Sequence, residues 1–163
     1  MASFKENLPN PFNADVDGDV RIAVVRAEWN GDITSELSEG CFDTLVGHGV
    51  REDFIDVYTV PGAVELTFAA SQIIESGAYD ACVVFGCVIR GETPHFDYVC
   101  QSVTQGVTHL NAECDIPVIF GLLTVENRQQ ALDRIGGQHG HKGKEAAEAA
   151  LKMIQFANRI KDL

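Results

Sequence analysis

Residues 81–89 read ACVVFGCVI, nine residues without a charge and with a single glycine, Gly86. A half-exposed strand alternates apolar and polar side chains. A strand that is apolar in both phases is covered on two sides, as at the centre of a parallel sheet. The flanking sequence agrees. Upstream, 63–75 (AVELTFAASQIIE) has helical composition and is closed by Gly77; downstream, the polar loop 90–94 leads into a helical pattern over about 95–114. Three more strand-like runs complete the set: 21–27 (RIAVVRA), 53–60 (DFIDVYTV, stopped by Pro61-Gly62) and 117–123 (PVIFGLL). Helical stretches are expected over about 32–46, over 126–134 and over about 144–159, the last two separated by the glycine-rich GGQHGHKG. This β–α alternation predicts one three-layer α/β domain with a four-stranded parallel sheet. Residues 1–19, with two prolines and little periodicity, read as an N-terminal arm or leader, and 20–163 as the domain.

A chain of 163 residues and 17.7 kDa has room for one domain. Its 45% hydrophobic and 22% charged residues exclude a disordered or fibrous protein. The apolar runs are broken too often to span a bilayer. The first residues have neither a basic segment nor an apolar one, so no secretory signal is expected. Twelve basic against twenty-four acidic side chains give a net charge of −12, the wrong balance for gripping a nucleic-acid backbone. Arg90 is the only basic residue between Arg51 and Arg128, whereas Lys142, Lys144, Lys152, Arg159 and Lys161 cluster in the tail. Two readings of that distribution stand open: a solvated face on the last helix, or a local anion site where Arg90 meets the start of the tail. The five cysteines (Cys41, Cys82, Cys87, Cys100, Cys114) are odd in number and have no C-x-x-C spacing. Cys82 and Cys87 face opposite sides of one strand. Reduced, buried thiols in the cytoplasm are the expectation, rather than a disulfide framework or a zinc site.

In open α/β sheets ligands bind beyond the carboxyl ends of the strands. The loops there carry Glu28-Trp29-Asn30, Pro61-Gly62-Ala63, Arg90-Gly91-Glu92-Thr93-Pro94-His95 and Thr124-Val125. In the third, Thr93 suits an N-cap and Pro94 a first helical position, which places His95 in the first turn of a helix. Free backbone N–H groups and the helix dipole make such a turn a seat for phosphate. Gly91 permits close approach, and Arg90 either adds a charge-assisted contact or pairs with a neighbouring acid. Histidine beside an anion seat, with Asp97 two residues on, suits proton transfer near neutral pH. No GxxxxGK[ST] or GxGxxG pattern occurs, which argues against an NTPase or a dinucleotide enzyme. Trp29, the single tryptophan, either packs at the rim or stacks on a flat heterocycle. Glu65 either serves the helix dipole or accepts hydrogen bonds from a polyol. His139-Gly140-His141 has no third ligand at useful spacing and reads as a turn.

VPGAVE (60–65), GCVIRGETPHFDYV (86–99), PVIFGLLT (117–124) and the spacing from Arg134 to Lys142-Gly143-x-Glu145-Ala146-Ala147 resemble the 6,7-dimethyl-8-ribityllumazine synthases over about residues 20–160. The resemblance implies a flavodoxin-like α/β/α fold. It also implies the penultimate reaction of riboflavin biosynthesis, in which 5-amino-6-(D-ribitylamino)uracil and 3,4-dihydroxy-2-butanone 4-phosphate condense without cofactor or metal. By resemblance Trp29, with Asn30 beside it, stacks on the pyrimidine. Ala63, Val64 and Glu65 hold the ribityl chain, and Cys87, Val88 and Ile89 line the pyrimidine pocket. Glu92 and Thr93 form the phosphate turn, and His95 transfers protons. Phe120, Arg134 and Lys142 match residues supplied by a neighbouring subunit, with Arg134 on the phosphate. A homo-oligomer built on pentamers follows, as large as the sixty-subunit shell of some relatives, with riboflavin synthase as a partner. Residues 10–19, extended in character, would cover an adjacent subunit's sheet edge. Two positions depart from the family pattern: His141 stands where Asn often precedes the Lys-Gly pair, and Val64 where Phe is common, which should loosen packing. Readings of other classes are a flavin carrier without turnover and a shell protein with a vestigial site.

Overall fold

In the computed structural model, which describes residues 8–16 and 18–163, strand β3 (Ala81–Ile89) is buried over its first seven residues. Its two phases go to two different cores. Ala81, Val83, Phe85 and Cys87 pack under helices α1 (Gly31–Gly47) and α5 (Lys142–Lys161), with Ile33, Leu37, Ala147 and Leu151. Cys82 and Val84 pack on the other face with Leu66, Ala70, Val103 and Val107 of α2 (Leu66–Ser76) and α3 (His95–Glu113). The uninterrupted apolar run is thus the signature of a strand sandwiched between helix layers.

Strands β1 (Ile22–Ala27), β2 (Ile55–Val60) and β4 (Val118–Val125) complete a parallel sheet in the order β2-β1-β3-β4. Val24 pairs with both Val57 and Val83, and Phe85 faces Gly121. Gly77 ends α2 in the left-handed region, φ 66°, where a side chain would be strained. The cysteines are all free, and burial pushes the Cys41 and Cys82 thiols up to about 12, which keeps them unreactive.

Three local expectations change. The run over 53–60 divides into a 3-10 turn (Glu52–Phe54) and β2, because Arg51 clasps Asp53 at 2.6 Å and stacks on Phe54 at 4.2 Å before the strand begins. The helix over 126–134 contracts to α4 (Arg128–Leu132), capped by Asn127 accepting from the Gln130 N–H. The glycine-rich turn folds as a small antiparallel hairpin, β5 (Ile135–Gly137) with β6 (Gly140–His141). Of the arm, residues 1–7 and Asp17 lie outside the described residues. Phe12 is buried with its ring edge-on to His48, Val16 N–H donates to the His48 carbonyl, and Lys152 Nζ reaches the Asn10 carbonyl. Residues 10–16 therefore lie on the α1 and α5 side of this same chain.

Helix α5 starts where His141 caps it. Nδ1 accepts from the N–H groups of Gly143 (3.2 Å) and Lys144 (3.4 Å), the role that the side-chain oxygen of an N-cap Asn plays in helices generally. The ring fits because residue 40 is glycine: a Cβ there would stand 2.2 Å from His141 Cε1. An accepting Nδ1 requires the neutral ring, and burial together with Lys144 holds the His141 pKa below its ordinary value against the carboxylates of Glu36 and Glu145. The unfolded chain takes up this proton below about pH 6.5 while the folded chain resists, so stability is full above that pH and falls as pH drops. A cap is worth about 1 kcal/mol. Urea midpoints should therefore fall more between pH 7.5 and 5.5 in the wild type than in His141→Asn, which caps without titrating. Equal acid-side losses would refute the cap as their source.

Candidate active site

The strand order doubles back at β1: the chain passes from β1 outward to β2, then returns to β3 on β1's other side. Ligand crevices open at such a switch, between the carboxyl ends of the two diverging strands. Here hydrogen bonds stitch the loops into one surface. Glu28 N–H donates to the Val60 carbonyl (2.8 Å) and Trp29 N–H to the Pro61 carbonyl (3.2 Å), joining the β1 and β2 loops. Asn30 Nδ2 donates to the Cys87 carbonyl at 2.8 Å, joining the β1 loop to the end of β3. That bond holds Asn30 in a left-handed conformation, φ 54°, the only non-glycine residue so placed among the described residues. The turn leaves Trp29 74% exposed.

Glu65 comes to the same place from the 3-10 turn Ala63–Glu65. A Cβ built on Gly62 would lie 3.1 Å from Glu65 Oε2 and 3.3 Å from Trp29 Cδ1. The indole and the carboxylate therefore both border a glycine that has no side chain to stand between them. Val64 is 48% exposed, so the change from the family's Phe falls on open surface rather than in a core. Cys87 is buried and its thiol is pushed up to about 11 by that burial, while Val88 and Ile89 are half-buried beyond it.

The β3 loop leads into α3. Arg90 N–H extends the ladder to the Val125 carbonyl. Its guanidinium donates to Glu126 (2.7 Å) and Asp97 (3.4 Å) and lies 4.2 Å over the Phe96 ring. Of the two readings of Arg90, the ion pair is the one observed: this cation clamps the start of α3 and is committed to carboxylates. The helix begins at His95 with Pro94 at its cap, one residue later than Thr93 was expected to cap it. Thr93 Oγ1 still accepts from the His95 N–H at 3.4 Å, and Glu92, Thr93 and His95 are all exposed.

Phe120 is not part of this surface. It is 44% exposed on edge strand β4, five residues before Val125 and so roughly 16 Å down the strand at 3.3 Å per residue. Arg134 and Lys142 come together across the hairpin, where Lys142 N–H donates to the Arg134 carbonyl at 2.8 Å. The Arg134 guanidinium donates to the Gln130 carbonyl, and Lys142 Nζ to Glu145 at 2.8 Å. Residues that sequence reasoning passed over are Glu126, which clasps Arg90, and the Asp32–Arg128 pair. The sequence carries one local signal beside them. Asn127 followed three residues later by Gln130 is a helix-start signature, and Gln130 Oε1 does reach back to the Glu126 N–H. Among the described residues no three His, Cys, Asp or Glu side chains are grouped to hold a metal ion, and no helix is long and apolar enough to cross a membrane.

Residues 19–158 match the family model described as 6,7-dimethyl-8-ribityllumazine synthase. The chain belongs to that family. It is 52% identical to the 6,7-dimethyl-8-ribityllumazine synthase of Parabacteroides distasonis over 159 residues, 96% of this chain and 99% of that one. It is 49% identical to the enzyme of the same name from Phocaeicola vulgatus, over 98% of this chain and 96% of that one. A lumazine synthase of Porphyromonas gingivalis is 55% identical over 135 residues. As a member of the family the chain is a transferase of riboflavin biosynthesis, condensing a ribitylaminopyrimidine with a four-carbon ketone phosphate to give 6,7-dimethyl-8-ribityllumazine. Its substrates are small molecules.

Proposed function

We propose that the condensation takes place over the β1–β3 crevice, with the Trp29–Glu65 cradle as the observation that carries the assignment. Trp29 stacks on the pyrimidine ring of 5-amino-6-(D-ribitylamino)uracil beside Asn30, over a wall of Cys87, Val88 and Ile89. Ala63, Val64 and Glu65 hold the ribityl chain, the Glu65 carboxylate accepting from its hydroxyls. Glu92 and Thr93, at the start of α3, form the turn that seats the phosphate of 3,4-dihydroxy-2-butanone 4-phosphate against free backbone N–H groups. The 5-amino group attacks the ketone and a first water leaves to form the imine. Phosphate is eliminated, the ribityl-bearing nitrogen attacks the remaining carbonyl to close the ring, and a second water leaves. Holding amine against ketone supplies much of the acceleration in such a two-substrate step. His95 moves the protons.

Among the described residues a single chain leaves this site short of cations, since Arg90 is committed to Glu126 and Asp97, and Arg128 to Asp32. We read Phe120, Arg134 and Lys142 as completing the site of a neighbouring subunit, Arg134 on the phosphate, in a homo-oligomer built on pentamers. Large apolar side chains left exposed on several elements support it: Phe68 on α2, Tyr98 on α3, and Met153, Phe156 and Ile160 on α5. The short β5–β6 hairpin, without insertion or proline, favours further association of pentamers into a sixty-subunit shell. The net charge of −12 opposes it, but physiological salt screens beyond about 8 Å. A cytoplasmic location and riboflavin synthase as consumer of the product belong to the same reading. Native mass measurement at physiological salt, with activity followed across the separated species, tests it. Activity should reside only in multiples of five. An active monomer would overturn the shared site; a stable pentamer would overturn only the shell.

A further inference from the structure

Asp32 and Arg128 are 96 residues apart and meet as an ion pair, Arg128 Nη2 on Asp32 Oδ2. Asp32 is in the first turn of α1, two residues after Asn30, and Arg128 is the first residue of α4, three residues after β4 ends. The pair thus spans the carboxyl edge of the sheet from the β1 loop to the β4 loop, across the end of β3. Cys87, at that end, feels both charges, Arg128 favouring its thiolate and Asp32 opposing it. The guanidinium in turn holds the Asp32 carboxyl below the usual carboxylate range.

The span bears on the segment that most needs restraint. Asn30 is left-handed, a conformation that costs energy in most L-residues and that asparagine tolerates best after glycine, and Trp29 is 74% exposed, so little burial fixes it. The β1 loop is tied on one side to β2 through Glu28 and Trp29 and below to β3 through Asn30. Arg128 supplies the tie on the remaining side. We propose that Arg128 and Asp32 are positioning residues that strap the Trp29–Asn30 turn against the β4 loop and hold the tryptophan in register for the pyrimidine. This rests on the reading of Trp29 as the stacking residue.

The strap acts on one substrate. In the assembled enzyme, Arg128→Met should raise KM for the pyrimidine about two- to five-fold, the range an exposed ion pair supplies, with kcat and the KM for the ketone phosphate little changed. Arg128→Lys should recover part of the loss, and the double exchange Asp32→Arg with Arg128→Asp more than either single exchange. Because the pair is exposed, the gap between wild type and Arg128→Met should narrow as salt is raised. Trp29 is the single tryptophan, so its fluorescence anisotropy reads the strap without catalysis. It should fall in unliganded Arg128→Met and rise toward the wild-type value as pyrimidine binds. A wild type whose Trp29 emission ignores pyrimidine would overturn the stacking reading itself. A wild type that responds, beside an Arg128→Met variant with unchanged anisotropy and unchanged KM, would overturn the strap alone, as would equal rises in both KM values.

Discussion

Replacing His95 with alanine is expected to slow condensation by about 10²–10⁴-fold while leaving pyrimidine affinity intact. The imidazole is exposed at the first residue of α3, outside the apolar wall, and its side chain carries none of the bonds that join the loops. Removing it takes away the proposed proton carrier without loosening the Trp29 turn or the Gly62 cradle. Single-turnover rates, together with a pyrimidine titration followed by Trp29 emission, separate the two quantities. An unchanged rate would remove His95 from the chemistry. Weakened pyrimidine binding at an unchanged limiting rate would make His95 a wall of the pocket instead.

Arg134→Ala should raise the KM for the ketone phosphate by roughly 10–150-fold, the loss of one charge-assisted contact of about 1.5–3 kcal/mol, and change the pyrimidine KM far less. The structure supplies a control. Arg134 donates to the Gln130 carbonyl and its own carbonyl accepts from the Lys142 N–H, so the residue also braces α4 and the hairpin. The backbone bond survives the substitution, and the side-chain bond to Gln130 does not. A urea midpoint measured beside the kinetics tells the two roles apart. Equal rises in both KM values with a lowered midpoint would mark Arg134 as a folding residue.

The reach of sequence reasoning follows a physical division. Element identity was legible because it depends on neighbours in the chain. The two-phase apolarity of β3, the Pro61-Gly62 stop after β2 and the glycine closing α2 are local instructions, and the sheet obeys them. The loops that carry Trp29, Glu65 and His95 were found for the same reason, since each directly follows a strand. Short-range competition blurred the boundaries. Asn127 caps α4, which runs only from Arg128 to Leu132, and Pro94 rather than Thr93 takes the cap position of α3.

Side-chain commitments were a different matter. The chain has twenty-four carboxylates and twelve basic side chains, and nothing local says which will meet. Arg90 was open to phosphate or to an acid until the fold set Glu126, thirty-six residues away, beside it. His141 looked like a departure from its family until α1 brought Gly40 beneath the ring and made it a cap. By itself, then, the sequence determined the alternation of strands and helices, the burial of β3 on both faces and which loops follow the carboxyl ends of the strands, because periodicity and turn residues act over a few positions. The tertiary structure alone decided the order β2-β1-β3-β4, the meeting of Trp29 and Glu65 over Gly62, and the pairing of Asp32 with Arg128. Those contacts depend on distances in space, which pairing of the strands sets and spacing along the chain does not.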